Sequence, residues 1–244
     1  MFLKKVGCFL NLLHDLQAHI RSIVPGLPLP ELEKQRVLVG LCGEPIPESQ
    51  LASLPKDQFQ IVSTDKDLLE LGLELKAWDS AVVFDIETSG LEPEKGQIVS
   101  MGFGFDGVNY YVPISHTDPS GNLLAGQFSL LTIIQALPLQ SLKIVAHNAK
   151  FEYSWLKHHT GIELQIFWDT LIAGKLLDFN RPADLQSMAC KQVNAVEWAL
   201  TQHEMESFAR VPLEKAANYN ATDLINTFKL FELQRGELAN VNTI

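Results

Sequence analysis

Two carboxylates stand two residues apart in Val83-Phe84-Asp85-Ile86-Glu87-Thr88. On a strand, residues i and i+2 face the same side, so Asp85 and Glu87 would project together at the strand end while Ile86 turns to the opposite face. Carboxylates held side by side repel each other unless a cation sits between them. A third acid, Glu152, closes the run His147-Asn148-Ala149-Lys150-Phe151-Glu152. At the start of a helix that follows a buried strand, it can turn back towards the end of the first strand. Tyr219 and Asp223 are four apart in Tyr219-Asn220-Ala221-Thr222-Asp223, which stacks a phenol and a carboxylate on one helix face. Acids gathered this way bind divalent cations, and bound cations invert the local field where a phosphate would sit. Each motif alone also has a plain reading: a solvated strand end, a capped helix with an exposed Glu, a half-buried Tyr beside a solvated Asp.

The elements that must bring the motifs together are legible in the hydrophobic pattern. Phe59–Ser63 reads as a short strand and Asp65 as the N-cap of a helix over Lys66–Trp78, with Leu68, Leu71, Leu75 and Trp78 on one stripe. Ala81–Ile86, Gln97–Phe105 and Asn109–Pro113 read as strands, the last two joined by Asp106-Gly107, a hairpin signal. Gln127–Leu137 reads as a helix and Lys143–Ala146 as a buried strand. Asn148 is a candidate cap for the helix carrying Lys150 to His158. Ile166–Phe167 reads as a further short strand, and Thr170 to about Arg235 as mainly helical. Ahead of all this, residues 2–24 have the spacing of an amphipathic helix ended by Pro25-Gly26, and Val37–Val39 with Leu41 could form a strand. The predicted organisation is an N-terminal extension of unknown role over 1–57, then one domain over 58–244.

The three motifs follow the order strand, helix start, late helix. In that order they resemble the 3′–5′ exonucleases with four acids and a tyrosine, specifically the proofreading domain of the bacterial DNA polymerase I family. The resemblance runs from about Phe59 to Leu233. It includes Val83 to Leu91, His147 to Glu152, the hairpin ending Tyr110-Tyr111-Val112-Pro113-Ile114, Asp169-Thr170, and Tyr219 to Asp223. It implies an α/β fold, a ribonuclease H-like mixed β-sheet flanked by helices. It also implies two divalent cations, Mg²⁺ or Mn²⁺. Asp85 would bridge both, Glu87 and Asp223 would complete one site, and Glu152 would hold the other through water. Tyr219 would orient the attacking water. Thr88, Leu91 and Asn148 would contact the substrate, Leu91 as a wedge against a base. The implied substrate is a single-stranded or frayed 3′ end of DNA, released as nucleoside 5′-monophosphates in proofreading, replication or repair. A separate DNA polymerase chain is the candidate protein partner. In one place the sequence departs from the family: an Asp is usual where this chain has Glu152, and the extra methylene adds about 1.5 Å of reach. Two other readings stay open: a ribonuclease D-like RNA exonuclease, and a catalytically weak nucleic-acid-binding module that partners a polymerase.

Composition sets the remaining bounds. With 46% hydrophobic and 20% charged residues, the 244-residue chain is that of a globular protein with a real core. The net charge of −10 argues against gripping nucleic acid by phosphate neutralisation alone and points to weak affinity and a short footprint. No apolar run is long enough to span a membrane, and Lys4-Lys5 with the following apolar stretch lacks a cleavage site, so the expected location is cytoplasmic. Cys8, Cys42 and Cys190 are far apart and form no C-x-x-C pair, so they read as ordinary residues in a reduced, intracellular setting. His116 reads as packed or capping, His147 as packed, capping or lining the groove, His158-His159 as a solvated helix end, and Asp169 as a helix cap in preference to a site residue. Trp155, Trp168 and Trp198 read as core or groove walls. Lys150, Lys157, Lys175, Lys191 and Arg210 are candidates to line a DNA path.

Overall fold

The computed structural model describes residues 59–241. The expected N-terminal helix, the strand at Val37–Leu41 and the extension over 1–57 lie outside the described residues. The chain divides into two compact units, residues 51–234 and the flanking segments 1–50 with 235–244. The whole sheet and every nominated site residue belong to the first unit.

Six strands form one mixed sheet: β1 (Phe59–Ile61), β2 (Ala81–Thr88), β3 (Ile98–Phe105), β4 (Val108–Pro113), β5 (Lys143–Ala146) and β6 (Gln165–Asp169), in the order β1-β4-β3-β2-β5-β6. The β2–β3 and β3–β4 pairs are antiparallel, while β1–β4, β2–β5 and β5–β6 are parallel. Asp106 and Gly107 turn the β3–β4 hairpin with φ of 47° and 74°. Both lie in the left-handed region that a two-residue turn of this hand requires.

Among the described residues there are seven α-helices: α1 (Asp65–Ala77), α2 (Leu130–Ala136), α3 (Lys150–Thr160), α4 (Thr170–Leu177), α5 (Leu185–Gln192), α6 (Gln202–Glu206) and α7 (Leu213–Val241). Helix α1 starts one residue earlier than its pattern predicts. Its cap is Thr64, not Asp65: the Thr64 hydroxyl accepts from the Asp67 N–H and the Asp67 carboxylate accepts from the Thr64 N–H, a reciprocal capping box. The helix over 127–137 is shorter than expected because Ser129 caps it.

Alternation along β2 decides what each face meets. Val82, Phe84 and Ile86 enter the main core with Leu68, Leu71 and Leu75 of α1, Ile133 of α2, and Trp155 and Leu156 of α3. Ala81 and Val83 point the other way, onto Leu224, Phe228 and Phe231 of α7. Two residues further on, Asp85 and Glu87 continue that second face. The apolar packing of α7 therefore fixes which of its residues arrive opposite the two acids. On the same side, Val99 and Tyr111 pack with Phe208, Val211, Ala216 and Ala217. No helix among the described residues is long and apolar enough to cross a membrane.

Candidate active site

Strands β2 and β5 run parallel, with Val83 opposite Val145, so both end at the same edge of the sheet. The crevice outside the carboxyl ends of parallel strands is the usual ligand position in such sheets. A bulge between Glu87 and Thr88 interrupts the β2–β3 register there, as bulges beside functional sites often do. A cavity of about 1100 Å³ opens at this edge. Its walls include all eight residues the sequence nominates: Asp85, Glu87, Thr88, Leu91, Asn148, Glu152, Tyr219 and Asp223.

Three of the acids converge. Asp85, Glu87 and Asp223 each offer a carboxylate oxygen, and these atoms lie within 4.8 Å of one another. Asp223 arrives from α7, and Glu87 and Asp223 are each only 8% exposed. Glu152 stands outside that trio but inside the electrostatic reach of Asp85. It is 2% exposed, and its Oε2 is buried without a hydrogen-bond partner. Burial pushes the Asp85 carboxyl up to about 7, against the pull of a hydrogen bond from Asn220. Burial, with the charges of Asp85 and Asp223, raises Glu87 well above the usual carboxylate range. Burial and the Asp85 charge do the same to Glu152 and Asp223. Four carboxyls gathered here, three of them buried and Asp85 half-buried, cannot all be ionised on their own. Hard oxygen donors at this spacing, with an orphaned buried oxygen on Glu152 in the same cavity, are the donor set of a divalent-cation site.

Neutral donors hold the acids in place. Asn220 Nδ2 donates to Asp85 Oδ2 at 2.7 Å and lies 3.5 Å from Glu87 Oε1. Trp198 Nε1 donates to Asp223 Oδ1 at 2.7 Å. The sequence reading missed the role of both. The i, i+3 spacing of Asn220 and Asp223 could have shown Asn220, since it sets both on one face of α7. Trp198 sits in the irregular stretch between α5 and α6, where no periodicity marks it. Tyr219 is half-buried against Phe208, and burial together with Asp223, Glu87 and Asp85 pushes its phenol upward, so it stays protonated at neutral pH.

Helix α3 is set differently from the expectation. Asn148 is not its cap: φ is 63° there, and the cap position, Ala149, makes no side-chain bond. Instead Asp169, at the end of β6, accepts from the N–H groups of Asn148 and Ala149 as well as those of Leu171 and Ile172. One carboxylate thus caps α4 and braces the turn that aims Glu152. His147 lines the cavity but is tied at both nitrogens. Nε2 donates to the Ala183 carbonyl at 2.9 Å, which leaves Nδ1 to accept from the Thr170 hydroxyl at 2.8 Å. Burial lowers its pKa, so it is a neutral brace.

Thr88 donates its hydroxyl to Gly90 O, and Leu91 is 86% exposed at the mouth of the cavity. The expected basic path is not at the cavity. Lys150, Lys157, Lys175, Lys191 and Arg210 are all absent from its walls, which carry six Asp or Glu residues and no Lys or Arg. Lys157 pairs with Glu163, and Lys175 donates to the Phe179 and Arg181 carbonyls. Trp155 is a core residue stacked on His159, and Trp168 packs on Phe231.

Comparison with known proteins agrees with this geometry. The sequence family described as 3′–5′ exonuclease matches residues 59–238. The DNA polymerase I of Borreliella burgdorferi is 26% identical over 179 residues, covering 72% of this chain and 19% of that protein. The chain spans less than a quarter of the length of the curated relatives it matches. Among solved structures, Escherichia coli RNase D, an exoribonuclease involved in structured RNA processing, superposes with a TM-score of 0.57 at 17% identity, over 75% of this chain and 46% of that one. Brucella melitensis NrnC with bound Mg²⁺ gives 0.52 at 19% identity, over 75% and 82%. At these identities the two structures speak to the fold.

Proposed function

We propose that this chain, which belongs to the 3′–5′ exonuclease family, hydrolyses the terminal phosphodiester at the 3′ end of DNA and releases nucleoside 5′-monophosphates. The observation that carries the reading is the convergence of Asp85, Glu87 and Asp223 within 4.8 Å at the open edge of the sheet.

Asp85 is the acid whose charge acts on each of the other three, and it is the proposed shared ligand of two divalent cations. Glu87 and Asp223 would hold one, and Glu152, with its orphaned oxygen, would hold the other. Bound there, the cations would stabilise the attacking and leaving oxygens of an in-line displacement and lower the pKa of the attacking water. The protein's own groups do the rest. Because Tyr219 keeps its proton, it orients a water by hydrogen bonding and does not act as a base. His147, with both nitrogens engaged, holds the α3 turn in place and takes no proton from substrate. Leu91 and the half-buried Phe151 offer apolar contact to a terminal base, which tolerates any sequence.

A cavity with six acids and no Lys or Arg gives the rest of the strand little electrostatic hold. The favoured substrate is therefore a short single-stranded or frayed 3′ terminus. A DNA polymerase is the proposed partner, since the curated relatives are DNA polymerases I. RNA is the second reading, favoured by the fold shared with RNase D. The test is digestion of matched 5′-labelled DNA and RNA single strands with Mg²⁺ or Mn²⁺, by wild type and Asp85→Ala. A ladder on DNA that Asp85→Ala abolishes supports the proposal. Faster cleavage of RNA replaces the substrate, and no ladder on either strand removes the enzymatic reading.

A further inference from the structure

Asn220 is 0% exposed and neutral, and it is planted among buried carboxylates. Its amide nitrogen reaches Asp85 Oδ2 at 2.7 Å and Glu87 Oε1 at 3.5 Å. Its amide oxygen has no hydrogen-bond partner. That oxygen lies over Gly102, the residue paired with Asp85 across the β2–β3 ladder. A Cβ added at Gly102 would stand 1.9 Å from it. Strand β3 therefore carries a notch at the level of Asp85, and Asn220 fills it.

Helix stability does not account for this residue. Alanine is the better helix former by several tenths of a kcal/mol. Leaving the amide oxygen buried and unpaired costs about 1–3 kcal/mol. An amide placed here at such a cost fits a role at the carboxylates.

We propose that Asn220 is a positioning residue that fixes Asp85 and Glu87 in one cation-ready arrangement. The N–H groups draw the two carboxylates to a common donor while they would otherwise repel. The notch at Gly102 fixes the amide itself, so the acids keep one orientation before a cation arrives. Trp198 does the equivalent for Asp223 through its 2.7 Å bond. The expected consequence of losing the amide is lower cation affinity. Partners that orient metal ligands typically contribute about 10–100-fold to affinity.

The inference rests on the cation-dependent reading above, and the test separates the two. Mn²⁺ is titrated calorimetrically into the metal-free 244-residue chain, for wild type, Asn220→Ala, Asn220→Ser and Thr222→Ala. Thr222 stands next to Asp223 in the chain but outside the cavity walls, and its hydroxyl donates to the Asn218 carbonyl of its own helix, so it controls for substitution in α7 beside the site. Folding is checked in EDTA by circular dichroism and melting temperature. Both Asn220 variants are too short to reach Asp85, so each is expected to weaken Mn²⁺ binding about 10–100-fold while still folded. At saturating Mn²⁺, kcat is expected to recover to within a few-fold of wild type, because Asn220 sets affinity and touches no reacting atom. Thr222→Ala is expected to melt near wild type, because alanine is the better helix former, and to leave Mn²⁺ affinity unchanged. Unchanged Mn²⁺ affinity in a folded Asn220 variant overturns the inference and leaves the exonuclease reading standing. Absence of Mn²⁺ binding in the wild type overturns both.

Discussion

Gly102 is the place where the architecture of the site can be tested without touching an acid. Its φ is not in the left-handed region, so an alanine meets no backbone obstacle. What it meets is Asn220: the new methyl would lie 1.9 Å from Oδ1, 2.8 Å from Cγ and 3.0 Å from Nδ2. Reaching an ordinary contact of about 3.4 Å means a retreat of roughly 1.5 Å, in a fully buried side chain on a packed helix. Overpacking of this kind costs about 1–3 kcal/mol. The displaced amide also gives up its bond to Asp85, worth about 1.5–3 kcal/mol for a bond to a charged group. Displacement relieves part of the clash, so the two do not add in full, and about 3 kcal/mol is expected. For a chain of this size that is a fall of roughly 6–12 °C in melting temperature. In the Asn220→Ala background the obstacle is gone, and Gly102→Ala should be neutral or mildly stabilising, since glycine weakens a strand interior. The double-mutant coupling is then about 3 kcal/mol or slightly more in the rescuing direction. Thermal and urea melts of the four proteins in EDTA measure it. If Gly102→Ala is harmless alone, or equally harmful with and without Asn220, the notch does not exist as described.

The Asp85 carboxyl, held at about 7 against 3.8 for the free group, is the source of a stability penalty in the metal-free protein. That penalty is absent below pH 4, grows as pH rises through the interval and is full above pH 7. Asp85→Asn should therefore raise the metal-free melting temperature by about 4–8 °C at pH 8 (roughly 2 kcal/mol), with no gain near pH 4, and a flat difference across that range would contradict it. Trp198 bonds directly to Asp223, so Mg²⁺ titration should change tryptophan fluorescence in wild type and not in Trp198→Phe. A response that survives the substitution would assign it to another of the four tryptophans. Asp169→Ala removes the acceptor for four N–H groups. Beyond the roughly 1 kcal/mol of a single cap it should cost about 2–4 kcal/mol in all, read by urea denaturation, and a loss below 1 kcal/mol would mean the α3 turn holds itself.

Much of the fold is visible in the chain because its signals are local. The apolar run Ala81–Ile86, the Asp106-Gly107 turn and the strand Lys143–Ala146 each announce themselves within a few residues, and all are present. The misplaced caps are local ambiguities. Thr64 and Asp65 are both good capping residues, and only the reciprocal bond to Asp67 chooses between them. Asn148 misleads for a different reason. The acceptor for that turn comes from Asp169, twenty-one residues on, and no window around Asn148 contains it.

The site divides along the same line. Acids with motif spacing stand out because their type announces their chemistry, and the fold gathers all of them into one cavity. The groups that make such a gathering tolerable are neutral, an amide and an indole, and neither type signals a role. Their identity follows from a constraint that spacing does not express. Four carboxyls in one cavity, with no Lys or Arg among its walls, are held here by donors that add no fixed positive charge. A lysine in the place of Asn220 would satisfy Asp85 and Glu87 permanently and compete with any cation for them. A neutral amide lowers the repulsion between the acids without cancelling their charge, which leaves the cavity short of positive charge. An electrostatic demand of that kind is met by divalent cations bound from solution. The donors and the acids are in this sense one device, and substituting the donors should alter cation affinity before it alters the fold.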